Sequence, residues 1–364
     1  MLEKGKISAR QFTILVFLFM IGTSILIVPS MVVSLTKQDG WISVLIGLVL
    51  SMLSVLLYYA LAARYPDKTL AEYCELILGK WLGKLVSLFL MSYIFLLTAL
   101  LLRVVGNFMT TEIMPETPIE VIHILIVAVV IYAVRLGIET FSRTSEIMLP
   151  VILVLFLLFA VLLLKEIDME RIQPVMEWGM RPVLLASFYF FSLQELVVFL
   201  MLVPYVNRID KVRRSWMMGT MLGGVVLLVS ILLCILVLGS DFTARNMYPT
   251  YTLAKQINVA NFLQKVESVI AVIWLITIFF KITISYYAAI LGMAQSLGLK
   301  DYRTLTLPLG IILVVLSIVV YKNIVDYIEF TPRVWSVYAM VSMVVIPLLL
   351  LLVDLIRSKL KPST

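Results

Sequence analysis

Charge is scarce in this sequence. Only 14% of its 364 residues are Asp, Glu, Lys or Arg, while 62% are hydrophobic; a soluble domain typically carries about 25% charge and 45–50% apolar residues. No soluble fold of this size needs so much apolar surface, so the bilayer is the expected solvent for most of the chain. Histidine occurs once, at position 123, which leaves His-based metal sites and Ser–His triads little to build on. Cysteine occurs twice, as Cys74 and Cys234; the two lie far apart without metal or redox spacing and read as isolated buried thiols. No Walker A or dinucleotide fingerprint is present, so nothing suggests ATP-driven pumping by this chain alone. The expectation is a protein with no catalytic residue, no metal and no cofactor.

A formal charge of +7 raises nucleic acid as a partner. The basic residues form no stripe, however. They sit in short loops between apolar runs and read as topology signals facing anionic lipid headgroups, so membrane lipids are the expected surroundings and nucleic acid is not. The basic start, MLEKGKISAR, leads into an apolar stretch too long for a signal peptide and without a small-residue cleavage site. That stretch is expected to stay in the membrane.

A spanning helix needs about 20 apolar residues. On that ruler the sequence predicts an all-α, polytopic membrane protein of about ten transmembrane helices. The spans lie near 11–36, 41–63, 84–109, 118–137, 145–165, 183–204, 216–239, 265–296, 304–321 and 332–355. With the N-terminus inside, inner segments hold about twice as many Lys and Arg as outer ones, which places both termini in the cytoplasm. Two loops read as helical: DKTLAEYCELILGKWLGK on the inside, with Asp67 as a possible cap and Leu70, Tyr73, Leu76 and Ile77 on one face, and YPTYTLAKQI on the outside. A single membrane domain, 1–364, accounts for the whole.

Three spans carry interruptions. Span one, QFTILVFLFMIGTSILIVPSMVVSL, has Gly22, Thr23 and Ser24 near its centre and Pro29 beyond. Proline removes a backbone donor and small residues loosen the turn. Freed backbone groups are tolerated at that depth only under protein or beside a cavity, where they can receive a ligand carboxylate. A Pro-kinked helix packed through small residues is the bland alternative. Span six, SFYFFSLQELVVFLMLVP, places Ser192, Gln194 and Glu195 in an apolar run, with Pro204 at its end. A carboxylate there must be paired, protonated or wet. Matching breaks in spans one and six are what a five-plus-five inverted repeat predicts, with repeats near 11–165 and 183–355. Span eight buries Lys281 about fifteen residues from either helix end, too deep for its stem to reach an interface. Three roles stay open for it: pairing with Glu195, carrying a proton, or standing where a cation would otherwise sit. Thr283 and Tyr287, four apart on the same helix, share a face. Arg103 lies near the outer end of span three, where snorkelling serves as well as function, and Tyr93 and Leu97 on that helix read by type as packing residues.

Several stretches, in order along most of the chain, resemble the B-subunit family of GerA-type spore germinant receptors, the spore-permease branch of the amino acid–polyamine–organocation superfamily. They are IGTSILIVPS, QDGWISVLIGL, ARYPDKTLAEYCELILGKWLGK, YPTYTLAKQINVANFLQKVESVIAVIW and KITISYYAAILGMAQSLGL. The resemblance implies a leucine-transporter-type fold with helices one and six broken, and a role in sensing nutrients such as amino acids in the inner membrane of a bacterial spore. It implies partner A and C subunits. It also implies a pocket using Gly22, Thr23, Ser24, Tyr93, Leu97, Thr283 and Tyr287; Ile25, Phe191 and Ser192 join these as candidates beside the two breaks. Glu195 and Lys281 are the candidate charge pair or coupling residues. The sequence departs from the family in span six, where Ser192, Leu193 and Gln194 precede Glu195 and the glycine often found next to the glutamate is missing. A nutrient receptor subunit is the first reading, and a proton-coupled amino acid transporter is the second.

Overall fold

A computed structural model describes residues 2–256, 267–321 and 330–360. Among these residues eight helical stretches are long and apolar enough to cross a membrane, and two shorter apolar helices, Ala9–Ile21 and Arg303–Val319, accompany them. The first of the long stretches, Ser24–Ala62, joins the second half of span one to span two, so the spans among the described residues number ten as the hydropathy predicts; the side on which that half ends, at Thr36, is called outer and the opposite side inner. The chain is an integral membrane protein.

Span one is two helices, α1 (Ala9–Ile21) and α2 (Ser24–Thr36). Ser8 caps α1 in a reciprocal box with Gln11, satisfying amides that would otherwise be stranded at the membrane edge. Span two is α3 (Gly40–Ala62), and the inner helix α4 (Leu70–Leu78) leads into span three, α5 (Lys80–Phe108). Thr69, not Asp67, caps α4, through a box with Glu72; the Thr-x-x-Glu spacing satisfies two amides at once where Asp67 could satisfy one. Leu70, Tyr73 and Ile77 are buried as the shared face requires, but Leu76 is exposed. Span four is α6 (Ile119–Leu136) and span five is α7 (Ile138–Leu163). Span five thus begins two turns before the expected boundary at 145, because only Gly137, at φ +90°, separates the two helices and the polar run after it continues as helix.

The second half opens with α8 (Met180–Ser192), the outer half of span six. Its inner half is not an α-helix: Leu196–Met201 and Val203–Tyr205 run as tighter 3₁₀ turns. Span seven is α9 (Ile209–Leu233), followed by two short outer helices, α10 (Ser240–Arg245) and α11 (Pro249–Lys255). Span eight, α12 (Glu267–Ser296), and span nine, α13 (Arg303–Val319), precede span ten, Arg333–Lys359. Residues 257–266 of the outer loop, with the start expected for span eight at 265, lie outside the described residues.

The broken halves of span one sit in the middle of the protein, and α1 is buried on nearly every face. It lies tight against α9. A Cβ at Gly219 would come within 2.6 Å of the Thr13 carbonyl oxygen, and one at Gly223 within 2.5 Å of Met20 Cβ. Two glycines four apart let backbones approach where lipid tails supply no hydrophobic drive between helices. Gly219→Leu is therefore expected to destabilise the fold by about 1–3 kcal/mol of overpacking. Thermal unfolding of the detergent-purified protein checks this, with Met218→Leu on the exposed neighbouring position leaving the melting temperature unchanged.

Candidate functional site

Two helices lose their regular hydrogen bonding at the same place. Helix α1 stops at Ile21; the Gly22 amide still donates to Leu18 O at 3.0 Å, and the chain restarts at Ser24 with the Thr23 carbonyl accepting from Leu26 and Ile27, each at 3.3 Å. Helix α8 stops at Ser192, and Glu195 stands between it and the 3₁₀ turns. The C-terminal ends of α1 and α8 both carry partial negative charge.

The ammonium of Lys281 reaches this junction from α12. Its Nζ donates to the Leu193 carbonyl, freed at the end of α8, at 3.0 Å, and lies 2.8 Å from Glu195 Oε2. Lys281 is 0% exposed and Glu195 2%. The ammonium also stands 4.9 Å from the centre of the Phe19 ring, within the range of a cation–π contact, and the Trp335 side chain of span ten is a neighbour of Glu195. Gly22 makes room for the lysine stem, since a Cβ there would lie 2.5 Å from Lys281 Cδ. The glycine therefore serves the lysine, and its own amide is spent within α1.

Around the pair, Gln194 bridges the two breaks: Nε2 lies 3.4 Å from Ser24 Oγ and 3.4 Å from Phe190 O. Tyr93 stacks on Trp335 at 5.1 Å and meets Tyr338 edge-on. Among the described residues the Tyr93 hydroxyl, Gln194 Oε1 and Thr283 Oγ1 are buried without a hydrogen-bond partner. Ser192 Oγ is 2.9 Å from Ser336 Oγ in span ten, and the Ile25 carbonyl accepts from Thr250 of α11 at 2.6 Å. Leu97 and Phe191 are buried apolar groups. Tyr287 is placed elsewhere. Its hydroxyl points to Glu3 at the start of the chain, at 3.4 Å, because four residues along α12 carry it about 6 Å toward the inner side.

Sequence reasoning passed over Gln194 as a ligand candidate and missed Phe19 and Trp335, aromatic residues without a distinguishing pattern in apolar spans. Above the junction a cavity of about 370 Å³ opens between α2, α8, the α10 end and span ten, lined by Ile27, Ser30, Met31, Tyr189, Asn246 and Thr331 among others.

A family model described as spore germination protein matches residues 6–325. The chain belongs to that family. Spore germination protein KB of Bacillus subtilis (strain 168) is 29% identical over 333 residues, covering 90% of this chain and 88% of the relative. Among solved structures, MhsT in complex with L-phenylalanine superposes with a TM-score of 0.66 at 13% identity, covering 97% of this chain and 99% of the other. Mhp1, a nucleobase-cation-symport-1 family transporter solved closed with bromovinylhydantoin bound, gives 0.66 at 10% identity, covering 98% and 94%. At such identities the likeness concerns the fold, which is the leucine-transporter type with helices one and six broken. The family's missing glycine in span six has a counterpart in backbone geometry. Glu195 itself takes a left-handed conformation, φ 30° and ψ 37°, which costs a non-glycine residue about 1–2 kcal/mol and turns its carboxylate toward the lysine.

Because both charges are buried, removing one strands the other. Lys281→Met or Glu195→Leu alone is expected to cost about 3–5 kcal/mol, and the double variant much less than their sum. A double-mutant cycle of melting temperatures on the purified protein measures the coupling; additive losses would show that the pair does not act as a unit.

Proposed function

We propose that this chain is the membrane-embedded, ligand-binding subunit of a nutrient germinant receptor, taking a small amino-acid-like solute at the junction of spans one, three, six and eight. In this reading the protein resides in the inner membrane of the spore with both termini on the core side. It signals to partner A and C subunits, and its two repeats span about 11–165 and 183–355. The observation that carries the proposal is the buried Lys281–Glu195 pair, held at the meeting point of two broken helices in a member of the spore germination family.

The physical argument runs through charge balance. A zwitterion entering beside the pair brings one carboxylate and one ammonium. Its carboxylate takes the face of Lys281 and the first-turn amides of α2, where the helix N-terminus favours an anion; its ammonium takes Glu195. One internal pair becomes two, so no charge is left stranded in a medium that penalises it heavily. An ion of either single sign would leave an imbalance. The unpaired hydroxyl of Tyr93 and the amide oxygen of Gln194 are further groups to orient the solute, and the 370 Å³ outer cavity is its way in. Binding shifts the population of helix arrangements by its differential affinity for them, and the partner subunits read that shift.

A proton-coupled amino acid secondary transporter is the alternative, favoured by the same outer cavity and by a carboxylate and an amine at mid-depth. Two experiments separate the readings. The first is a thermal-shift screen of nutrients on the purified protein: a binding solute at a hundred times its Kd stabilises by about 2.7 kcal/mol, and Thr23→Trp is expected to remove both that shift and the response of spores carrying the variant receptor to that solute. An unaltered germination response would refute the site. The second is uptake of labelled amino acids by the chain in proteoliposomes, where the receptor reading expects no gradient-driven accumulation.

A further inference from the structure

We propose that residues 2–7 form a polar bolt across the inner side of the central site, and that Tyr287 serves this bolt as an anchor for Glu3 and does not touch the bound solute. The inference rests on the preceding reading only in taking the central junction to be the place that is closed.

A strip without regular secondary structure is held only by the bonds its groups make. Here the tie is extensive. Glu3 is only 6% exposed. One carboxylate oxygen accepts from the amides of Lys4 and Gly5, each at 2.8 Å. The other accepts from the Tyr302 hydroxyl at 2.9 Å and the Tyr287 hydroxyl at 3.4 Å. Gly137 lets it settle there, since a Cβ at 137 would lie 3.1 Å from Glu3 Oε2. Four residues later the backbone takes over. The Ile7 amide donates to Tyr205 O at 2.8 Å and its carbonyl accepts from the Asn207 amide at 2.9 Å, a short parallel pairing of Ile7 with Val206. Lys6 Nζ donates to Pro204 O at 2.9 Å.

One strip of six residues thus fastens three parts of the molecule, α12 at Tyr287, the start of span nine at Tyr302 and the inner end of span six at 204–207, and lies close against the α6–α7 junction at Gly137. Clefts flank it. One of about 620 Å³ is lined by Leu2, Lys68, Glu72 and Gln295 among others, and one of about 550 Å³ by Glu3, Gly5, Gly137 and Arg143 among others. Glu3 and Gly5 line the second cleft, whereas Tyr287 and Tyr302 are buried, so water can reach the Glu3 carboxylate and replace its bonds as they break. The strip is also connected to the site by short routes. Lys281 and Tyr287 share α12, and the inner half of span six runs from Glu195 to the residues that hold Ile7.

Hydrogen–deuterium exchange on the purified full-length protein tests this. Glu3→Ala, and separately Tyr287→Phe with Tyr302→Phe, are expected to raise amide exchange across residues 196–207 at least tenfold. A Cβ at Gly5 would lie 3.5 Å from Glu139 Cβ, inside the span of about 3.5–4.5 Å that a disulfide needs. The double variant Gly5→Cys with Glu139→Cys is therefore expected to slow that exchange below wild type when oxidised and to return to it when reduced. Both native cysteines are buried, and burial pushes the Cys74 thiol up to about 12, so neither competes. The single variant Tyr287→Phe separates anchor from ligand contact: with a mixture of the twenty L-amino acids as the probe, it is expected to keep the thermal shift of the wild type. Exchange at 196–207 that is the same in all variants and both redox states would overturn the bolt. So would a Tyr287→Phe protein that loses the amino-acid shift while its exchange stays at wild type. If the mixture fails to shift the wild type itself, the nutrient-binding reading fails, while the exchange data still decide the bolt.

Discussion

In hydrocarbon, an ammonium ion survives only if other groups replace the water it has lost. Lys281 meets that requirement with the carbonyl of Leu193, the carboxylate of Glu195 and the face of Phe19. Each comes from an element that would otherwise have its own unsatisfied polarity: a helix end, a second buried charge, a broken span. The lysine and the two breaks therefore depend on one another. Without the breaks no carbonyl would be free for the ammonium, and without the ammonium the end of α8 and the glutamate would face apolar surroundings. The rest of the bundle, including the glycine seam between α1 and α9, keeps these parts within bonding distance.

Much of this was legible in the sequence because the bilayer makes polarity conspicuous. Ten apolar runs gave the spans, and Gly22 with its polar neighbours marked the first break in advance. Glu195 and Lys281 stood out simply as charges in apolar stretches. What the sequence does not carry is direction in three dimensions. Thr283 and Tyr287 share a helical face, yet the rise of one turn takes the tyrosine from the junction to the N-terminal segment. Trp335 and Phe19 were invisible because an aromatic residue in an apolar span has no local signature. The form of the inner half of span six was not legible, since nothing in LVVFLMLVP announces 3₁₀ turns. The cap of α4 was legible after all: Thr69 and Glu72 form the capping-box spacing, and Asp67 was merely a residue of the right type nearby.

The two sides of the junction are closed by different means. On the outer side, helices α10 and α11 lie over the break and are attached through Thr250 to Ile25, Ser30 to Ala244, and the exposed pair Lys37–Asp241 at 2.6 Å. On the inner side, among the described residues, α4 and the N-terminal strip lie beside the inner half of span six. The outer closure leaves a cavity beneath it, whereas the inner one leaves openings to either side.

Glu195 is the residue on which a response could draw. Its left-handed backbone is a posture that an L-amino acid without glycine's freedom holds only while something restrains it, and here the restraint is the lysine. A molecule that lured the ammonium away would loosen that grip, letting the peptide around position 195 relax and the turns after it rewind. The energy released would be small, on the order of thermal energy or a few times that, but it would be delivered where the two broken spans meet. Span six would then behave less like a strut than like a set spring with a charged catch.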